Sequence, residues 1–256
     1  DLTDKDQIVN KDAVSMLVSL GIIEGKPDGS YAPTENVDRA QMAKMLSVIM
    51  NKGVDNSALY QSVNSGLTDI TSNWAKGHIN YCYTTGIIAG RGNGTFDPSA
   101  TVTALEAAKM LLVAVGYDPK IEGFEGADWA INVSVRADEQ GIFEGFTKDL
   151  SAPLNRDDAA LLIYNALDVE MIQSYTTNNY PIAYSDHRTI LADKYGVIKV
   201  QGVVVANEWA SLASDDGDAA LKEGKTTIYN GEGIFSTTGN TTVSKEDASL
   251  KTQTFN

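Results

Sequence analysis

The sequence has little cysteine, little histidine and no long apolar run. Its one cysteine, Cys82, excludes an internal disulfide and any metal site built from several cysteines. Cys82 falls at a core position of a helical pattern, which favours a small buried apolar residue over a reactive thiol. No apolar run of about 18 residues is present, so no transmembrane helix is expected. No basic and apolar leader stands at Asp1, so a leader was either removed or never present.

Basic residues are also scarce relative to acidic ones. The 256 residues include 34 acidic and 20 basic side chains, a formal net charge of −14. Such a surface repels a phosphate backbone, so no nucleic acid is expected as a partner. An anionic ligand would need a locally basic pocket. A hydrophobic content of 43% is ordinary for a globular chain of one or two domains.

Signals of catalysis are weak. His78 and His187 lie in different segments, and neither has the spacing of a zinc site or a catalytic triad. The glycine-rich run 90–94 does not follow a strand or open a helix, which argues against a dinucleotide site. Paired acids at 157–158 and 215–216 are typical of helix caps and solvated turns. The sequence therefore predicts no catalytic residue, no metal and no cofactor.

The most informative feature that is present is a repeat. A helical stretch ends at a glycine, and a second glycine follows four residues later, in Gly21–Gly25, Gly86–Gly90 and Gly141–Gly145. Glycine is the usual left-handed residue at a helix end. Core positions recur at helical spacing before each glycine, at Val14, Leu17, Ile79, Cys82 and Ala137. No copy is expected to bury its apolar face alone, so the copies should pack together with any site between them.

A second helix follows a turn-rich loop in each copy. Its start is predicted by a capping residue with an acid or amide three positions on: Asp38 with Gln41, Thr103 with Glu106, and Asn155 with Asp158. Each cap introduces an apolar stripe, made of Met42, Leu46 and Ile49, then Ala107, Leu111 and Ala114, then Ala159, Ile163 and Ala166. Each copy is thus helix, loop, helix, and the fold class is mainly α.

Two arginines stand where helix stability does not favour a cation. Arg39 and Arg156 occupy the first position of a second helix, and copy two has Ala104 there. A cation at this end costs about 0.3–1 kcal/mol because the helix dipole is positive. Either each arginine is exposed and pairs with a nearby carboxylate, or it joins the helix-start amides in holding an anionic group.

These motifs together resemble S-layer homology domains, the triplicated wall-anchoring modules of bacterial surface proteins. Copy two carries the resemblance most completely, with Leu67-Thr68-Asp69, Trp74-Ala75, Gly86–Gly90, Gly94–Pro98 and Thr103–Glu106. The match covers residues 1–172, divided into repeats 1–55, 65–118 and 123–172. The resemblance implies a pseudo-trimeric, three-pronged spindle whose first helices meet near the axis, with grooves between adjacent repeats.

The resemblance also implies a function and a site. It implies an extracellular, non-enzymatic module of the cell wall that binds an anionic, pyruvylated secondary cell wall polysaccharide in those grooves. The residues carried over are Asp4, Asp69, Trp74, Trp129, Arg39 and Arg156, with Lys26 and Arg91 as possible additions. Copy one lacks the tryptophan, copy two the arginine and copy three the aspartate, so one or two working grooves are expected.

The sequence leaves two other functions open. The repeats could be the scaffold of a structural or adhesive surface-layer protein whose self-assembly with other copies in a lattice, or whose host contacts, are the function. A wall-acting hydrolase would instead carry its catalytic part beyond Asn256.

Residues 176–256 differ in pattern and predict a small β-rich domain or the start of a longer region. A short helix is expected over 189–195, a strand over 196–205, and a hairpin joining 226–229 to 233–235 through Asn230-Gly231. Residues 252–255 also have a strand-like pattern. Nothing in this segment indicates a function.

Overall fold

The computed structural model describes residues 2–200, 202–207, 212, 221, 225–229, 234–238, 243–245 and 248–250. The chain forms two compact units, Asp1–Ile190 and Leu191–Asn256. The first is mainly helical, and the second contains mostly strands. Among the described residues, no helix combines the length and apolar character that crossing a membrane requires.

The first unit contains the three predicted helix–loop–helix copies. Their helices are α1 Lys11–Ser19 and α2 Arg39–Met50, α3 Lys76–Thr84 and α4 Ala104–Val115, and α5 Trp129–Glu139 and α6 Arg156–Ala166. Short 3-10 helices at Lys5–Gln7 and Ser57–Tyr60 precede α1 and α3. The apolar stripes predicted for the second helices are buried, and so is Cys82.

Local signals set the helix ends as expected. Asp38 and Thr103 form complete capping boxes, and the Asn155 side chain accepts a hydrogen bond from the Asp158 amide. Gly86 follows α3 with φ of +79°, a conformation that costs a residue with a Cβ energy.

The helices pack in a cyclic order across the copies. Helix α3 packs on α2, α5 packs on α4, and α1 closes the cycle by packing on α6. Each first helix therefore covers the second helix of the preceding copy, as expected for copies that cannot bury their apolar faces alone. Second helices also contact each other between copies, α4 with α2 and α4 with α6. The meeting of the first helices near the axis, and with it the spindle arrangement, stays a prediction.

Three backbone hydrogen bonds form a ring between the copies. The Val37 amide donates to the Leu154 carbonyl at 2.8 Å, the Leu154 amide to the Val102 carbonyl at 2.7 Å, and the Val102 amide to the Val37 carbonyl at 2.9 Å. Each residue directly precedes the cap of a second helix, and all three are buried. The ring thus joins the starts of α2, α4 and α6.

A hairpin extends copy three beyond its last helix. Strands β1 Ile172–Tyr175 and β2 Pro181–Ala183 pair antiparallel. The Tyr175 hydroxyl donates to Glu122 Oε1 at 2.9 Å and accepts from the Asp118 amide at 2.9 Å, which ties the hairpin to the segment before α5. The domain boundary predicted near residue 176 lies inside this hairpin, whereas the division between compact units follows Ile190.

The second unit is built on an antiparallel meander. After α7 Ile190–Tyr195, strands β3 Val203–Ala206, β4 Lys225–Tyr229, β5 Ile234–Thr238, β6 Val243–Lys245 and β7 Ala248–Leu250 pair in sequence order. The short helix and the β4–β5 hairpin were predicted. The Asn230-Gly231 turn, the paired acids at 215–216 and the strand-like pattern at 252–255 lie outside the described residues.

Candidate binding clefts

Two clefts open between neighbouring copies in the first unit. Cleft 1 has a volume of about 250 Å³ and surrounds the glycine loop of copy one; it is lined by residues 22–27, Tyr31, Val37, Gln41, Lys44, Met45, Trp74 and Arg156. Cleft 1 therefore takes its loop and one wall from copy one, its tryptophan from copy two and its arginine from copy three.

Cleft 2 repeats this arrangement one copy further on. It has a volume of about 540 Å³ and is lined by residues 87–92, Arg39, Glu106, Lys109, Met110, residues 124–126 and Trp129. Its arginine comes from copy one, its loop and helix wall from copy two, and its tryptophan from copy three.

The clefts bring together six of the eight residues predicted for the site. Arg156, Trp74 and Lys26 share cleft 1, and Arg39, Trp129 and Arg91 share cleft 2. Cleft 1 has three cationic residues and one carboxylate, and cleft 2 has three and two, in a chain whose net charge is −14. The clefts are thus locally basic.

Sequence reasoning missed one cation in each cleft. Lys44 of α2 and Lys109 of α4 line clefts 1 and 2 respectively. The signal was available, because the two lysines stand 65 positions apart, the same offset as the first two glycine loops. A lysine on a helix is nevertheless usually solvated, so the residue type alone gave no reason to select it.

Arg39 is a buried cation held by the next copy. Its Nε donates to the Phe96 carbonyl and its Nη2 to the Ala89 carbonyl, each at 2.8 Å. The guanidinium also lies 4.5 Å from the centre of the Phe96 ring, and the residue is only 4% exposed. Burial, assisted by the charge of Arg91, lowers the pKa of Arg39 to about 10, so it stays protonated at neutral pH.

Arg156 repeats this geometry between copies three and one. Its Nε donates to the Tyr31 carbonyl at 2.8 Å and its Nη2 to the Glu24 carbonyl at 3.1 Å, and its guanidinium lies 4.8 Å from the centre of the Tyr31 ring. Arg156 is half-buried. Each arginine therefore fixes the glycine loop of the following copy.

Neither alternative for the arginines holds in the form expected. Within the described residues, no carboxylate lies within 4 Å of either guanidinium, so the arginines are not surface ion pairs. The helix-start amides are not open either. The Arg39 and Ala40 amides donate to carbonyls of copy two, and the Arg156 and Asp157 amides donate to carbonyls of copy one. An anion in the clefts would meet side chains instead of a free helix end.

The two predicted aspartates serve the loops. Asp4 accepts hydrogen bonds from the Tyr31 and Ala32 amides at 2.7 Å each, and the Tyr31 amide in particular lowers the pKa of Asp4. Asp69 accepts from the Phe96 and Asp97 amides at 2.8 and 2.7 Å. Burial alone would raise the pKa of Asp69, but the two amides lower it overall. Neither aspartate is among the residues lining the clefts.

The two loop cations are paired with carboxylates of their own copies. Lys26 contacts Glu35, and Arg91 lies 3.3 Å from Glu106 and 3.5 Å from Asp97. These pairs lower the effective charge that a ligand would meet from Lys26 and Arg91.

Each tryptophan offers an apolar plane at the mouth of a basic cleft. Trp74 is 58% exposed and makes an edge contact with His78, with ring centres 6.4 Å apart. Trp129 is half-buried, with Lys109 Nζ 5.7 Å from its ring centre. An exposed indole beside cations suits a ligand with an apolar sugar face and a negative group.

The repeat also defines a third equivalent position, called cleft 3 here, at the Gly141–Gly145 loop of copy three. Here Ala104 replaces the arginine, Val9 the tryptophan, Leu161 the lysine of the second helix and Phe146 the loop cation. Two clefts thus have the full set and the third equivalent position does not, and the expectation of one or two working grooves stays a prediction.

Outside the clefts, buried Ser47 and His78 lie near the exposed Asp55. His78 Nδ1 lies 2.6 Å from Ser47 Oγ, and its Nε2 lies 3.6 Å from an Asp55 oxygen. Ser47 is 5% and His78 4% exposed, and the Ser47 hydroxyl also donates to the Lys44 carbonyl. Because no substrate can reach this serine, the cluster is a polar contact between α2 and α3. Among the described residues, no cluster of His, Cys, Asp or Glu could hold a metal.

Comparison with known proteins gives the clefts a family context. The family described as S-layer homology domain matches residues 1–43 and 66–108. These segments carry the glycine loops of copies one and two, which form clefts 1 and 2.

Three relatives are longer proteins named for the cell surface, the cell wall or the S-layer. A cell surface protein of Thermoanaerobacter kivui is 27% identical over 91% of this chain and 28% of its own length. A middle cell wall protein of Brevibacillus brevis is 27% identical over 80% of the chain and 18% of its own length. An S-layer protein of Bacillus licheniformis is 33% identical over 44% of the chain and 12% of its own length. The chain thus spans less than a third of each relative.

Proposed function

We propose that clefts 1 and 2 anchor this chain by binding an anionic, pyruvylated secondary cell wall polysaccharide. The chain belongs to the S-layer homology family and lies outside the cell, in the bacterial wall. The anchoring is non-catalytic. The ligand is a sugar terminus that carries a carboxylate.

The observation that carries this proposal is the convergence of one residue set, drawn from three copies, in two separate places. Each cleft combines an arginine, a helix lysine, a loop cation and a tryptophan. The cations suit a carboxylate, and the indole suits the apolar face of a sugar ring. Basic clefts on a strongly acidic chain favour an anionic ligand of limited size over a long polyanion that would cross the acidic surface.

Within this proposal the residues have different roles. Trp74 and Trp129 contact the sugar, and Arg39 and Arg156 present a fixed positive charge while they hold the loops. Asp4 and Asp69 position those loops through their backbone contacts.

The test is co-sedimentation with purified cell walls. The double variant Trp74→Ala with Trp129→Ala should lose most wall binding, because both indole planes are removed. Tyr180→Ala is the matched control, since Tyr180 is an exposed aromatic residue outside both clefts. Full binding by the double tryptophan variant would refute the role of the clefts.

A second candidate is self-assembly with other copies in a surface lattice. It is favoured by the similarity to proteins named as S-layer proteins. Walls stripped of the secondary polysaccharide separate the two functions: a polysaccharide anchor no longer sediments with them, whereas a lattice protein still self-associates.

A further inference from the structure

Lys44 and Lys109 differ from the arginines in how many partners hold their charged groups. Lys109 Nζ contacts the Trp129 ring and has no carboxylate within 4 Å among the described residues. Lys44 Nζ lies 3.6 Å from Glu24, whose side chain is largely exposed. Both arginines, in contrast, donate Nε and Nη2 to backbone carbonyls. The lysine ammonium groups are therefore the cations most able to reorient toward a ligand.

The lysines also occupy equivalent places in the two clefts. Each stands five residues after the first position of its second helix and lines the same cleft as the arginine of the preceding copy. A carboxylate in either cleft can approach the mobile ammonium, while the guanidinium, held by its carbonyl partners, adds a fixed positive charge nearby. The lysine side chain, with three rotatable donors, can follow the carboxylate as the sugar binds.

The third copy gives independent support, because it shows which residues vary together. Ala104, Val9, Leu161 and Phe146 come from three different copies, and the repeat offsets assign all four to cleft 3. The Leu161 side chain lies under the Gly145 turn, where its methyl carbons would be 3.7 and 3.9 Å from a Cβ at Gly145. Loss of the lysine at the same place as the arginine and the tryptophan indicates that the three act as one set.

We propose that Lys44 and Lys109 give clefts 1 and 2 their selectivity for a carboxylate-bearing glycan over a neutral one. This inference rests on the proposed function. The carboxylate can belong to a ketal-linked pyruvate or to a uronic acid, since both present the same charged group to an ammonium.

The experiment compares three forms of purified wall polysaccharide: native, carboxyl-reduced, and ketal-hydrolysed by mild acid. Reduction converts every carboxylate to an alcohol, whereas hydrolysis removes only the pyruvate. The wild-type chain should bind the native polymer at least about tenfold more tightly than the reduced one, the ratio expected for one charged hydrogen bond. Weak binding of the ketal-hydrolysed polymer identifies pyruvate as the source of the charge, and retained binding identifies a uronic acid.

The double variant Lys44→Leu with Lys109→Leu should reduce that ratio to about one to two, while its affinity for the reduced polymer stays within about twofold of wild type. Leucine is a native residue at the equivalent position, Leu161, so folding should be preserved. Lys11→Leu removes one exposed surface charge outside the clefts and should keep the wild-type ratio. An unchanged ratio in the lysine double variant would overturn the inference and leave the proposed function standing. Absence of wild-type binding to every form would overturn both.

Discussion

Replacement of Arg39 by methionine should destabilise the first unit by about 2–4 kcal/mol. Methionine keeps much of the apolar stem of the side chain but removes the guanidinium. The Phe96 and Ala89 carbonyls then lose their donors, and each hydrogen bond from a charged group contributes about 1.5–3 kcal/mol. The contact with the Phe96 ring adds about 0.5–2 kcal/mol, and relief of the buried charge offsets part of the sum.

Arg156→Met is the matched comparison, because Arg156 makes the same two kinds of hydrogen bond in a more open setting. Its Nη2 bond is longer, 3.1 Å, and the residue is half-buried, so water can replace the lost donor. We expect a cost of about 1–2 kcal/mol. The difference between the two variants tests whether burial, and not merely hydrogen-bond number, sets the contribution.

The measurement is urea unfolding followed by circular dichroism at 222 nm, which reports mainly on the helical first unit. Both variants should lower the transition midpoint, and Arg39→Met should lower it more. A change below about 0.5 kcal/mol for Arg39→Met, or a larger cost for Arg156→Met, would contradict this account of the arginine as a buried link between copies.

Three further perturbations have clear signs. Burial lowers the pKa of His78 in the folded chain. As pH falls below about 6.5, the unfolded chain therefore takes up a proton before the folded chain does, and the stability of the fold decreases. His78→Gln should flatten that part of a plot of melting temperature against pH. Asp69→Asn should lower the free energy of unfolding by about 1 kcal/mol near neutral pH, because the two amides lose a charged acceptor. The pKa of Asp69 is lowered in the folded chain, so the stabilisation from its carboxylate disappears only as pH falls below about 4, and the variant should lack this contribution to acid unfolding. Thermal melts at pH 7 and pH 3 test this. Gly77→Ala should lower the free energy of unfolding by about 2–3 kcal/mol, because its Cβ would stand 2.1 Å from the Ser57 carbonyl oxygen. Gly86→Ala should lower it by about 1 kcal/mol, because Gly86 has open space around it and only its φ of +79° is unfavourable for alanine. Equal losses in urea unfolding would contradict the close approach at Gly77.

The parts of the fold that the sequence predicted depend on neighbouring residues. The caps at Asp38 and Thr103, the left-handed glycine at Gly86 and the stripes of the second helices need only interactions within a few positions, so their pattern is readable directly. The repeat also predicted that the copies pack on one another. All of these were confirmed.

The features that were missed depend on contacts between copies. The carbonyl partners of Arg39 lie 50 and 57 residues away, and those of Arg156 lie 125 and 132 residues away. Nothing local distinguishes an arginine held by carbonyls from one held by a carboxylate. Lys44 and Lys109 share the offset of the repeat, but only the packing shows that they line a cleft.

In copy three, the residues that maintain the fold are present, whereas the residues that would line its own cleft differ from those of clefts 1 and 2. Copy three keeps Leu154 in the ring of backbone hydrogen bonds and Asn155 as a cap, although its own cleft has lost the cationic and aromatic set. It also keeps Arg156 and Trp129, which serve clefts 1 and 2. The family match covers the glycine loops of copies one and two alone, yet each of their clefts needs a side chain from copy three. Copy three thus supplies Arg156 to cleft 1 and Trp129 to cleft 2, and we expect a chain without it to lose both clefts together.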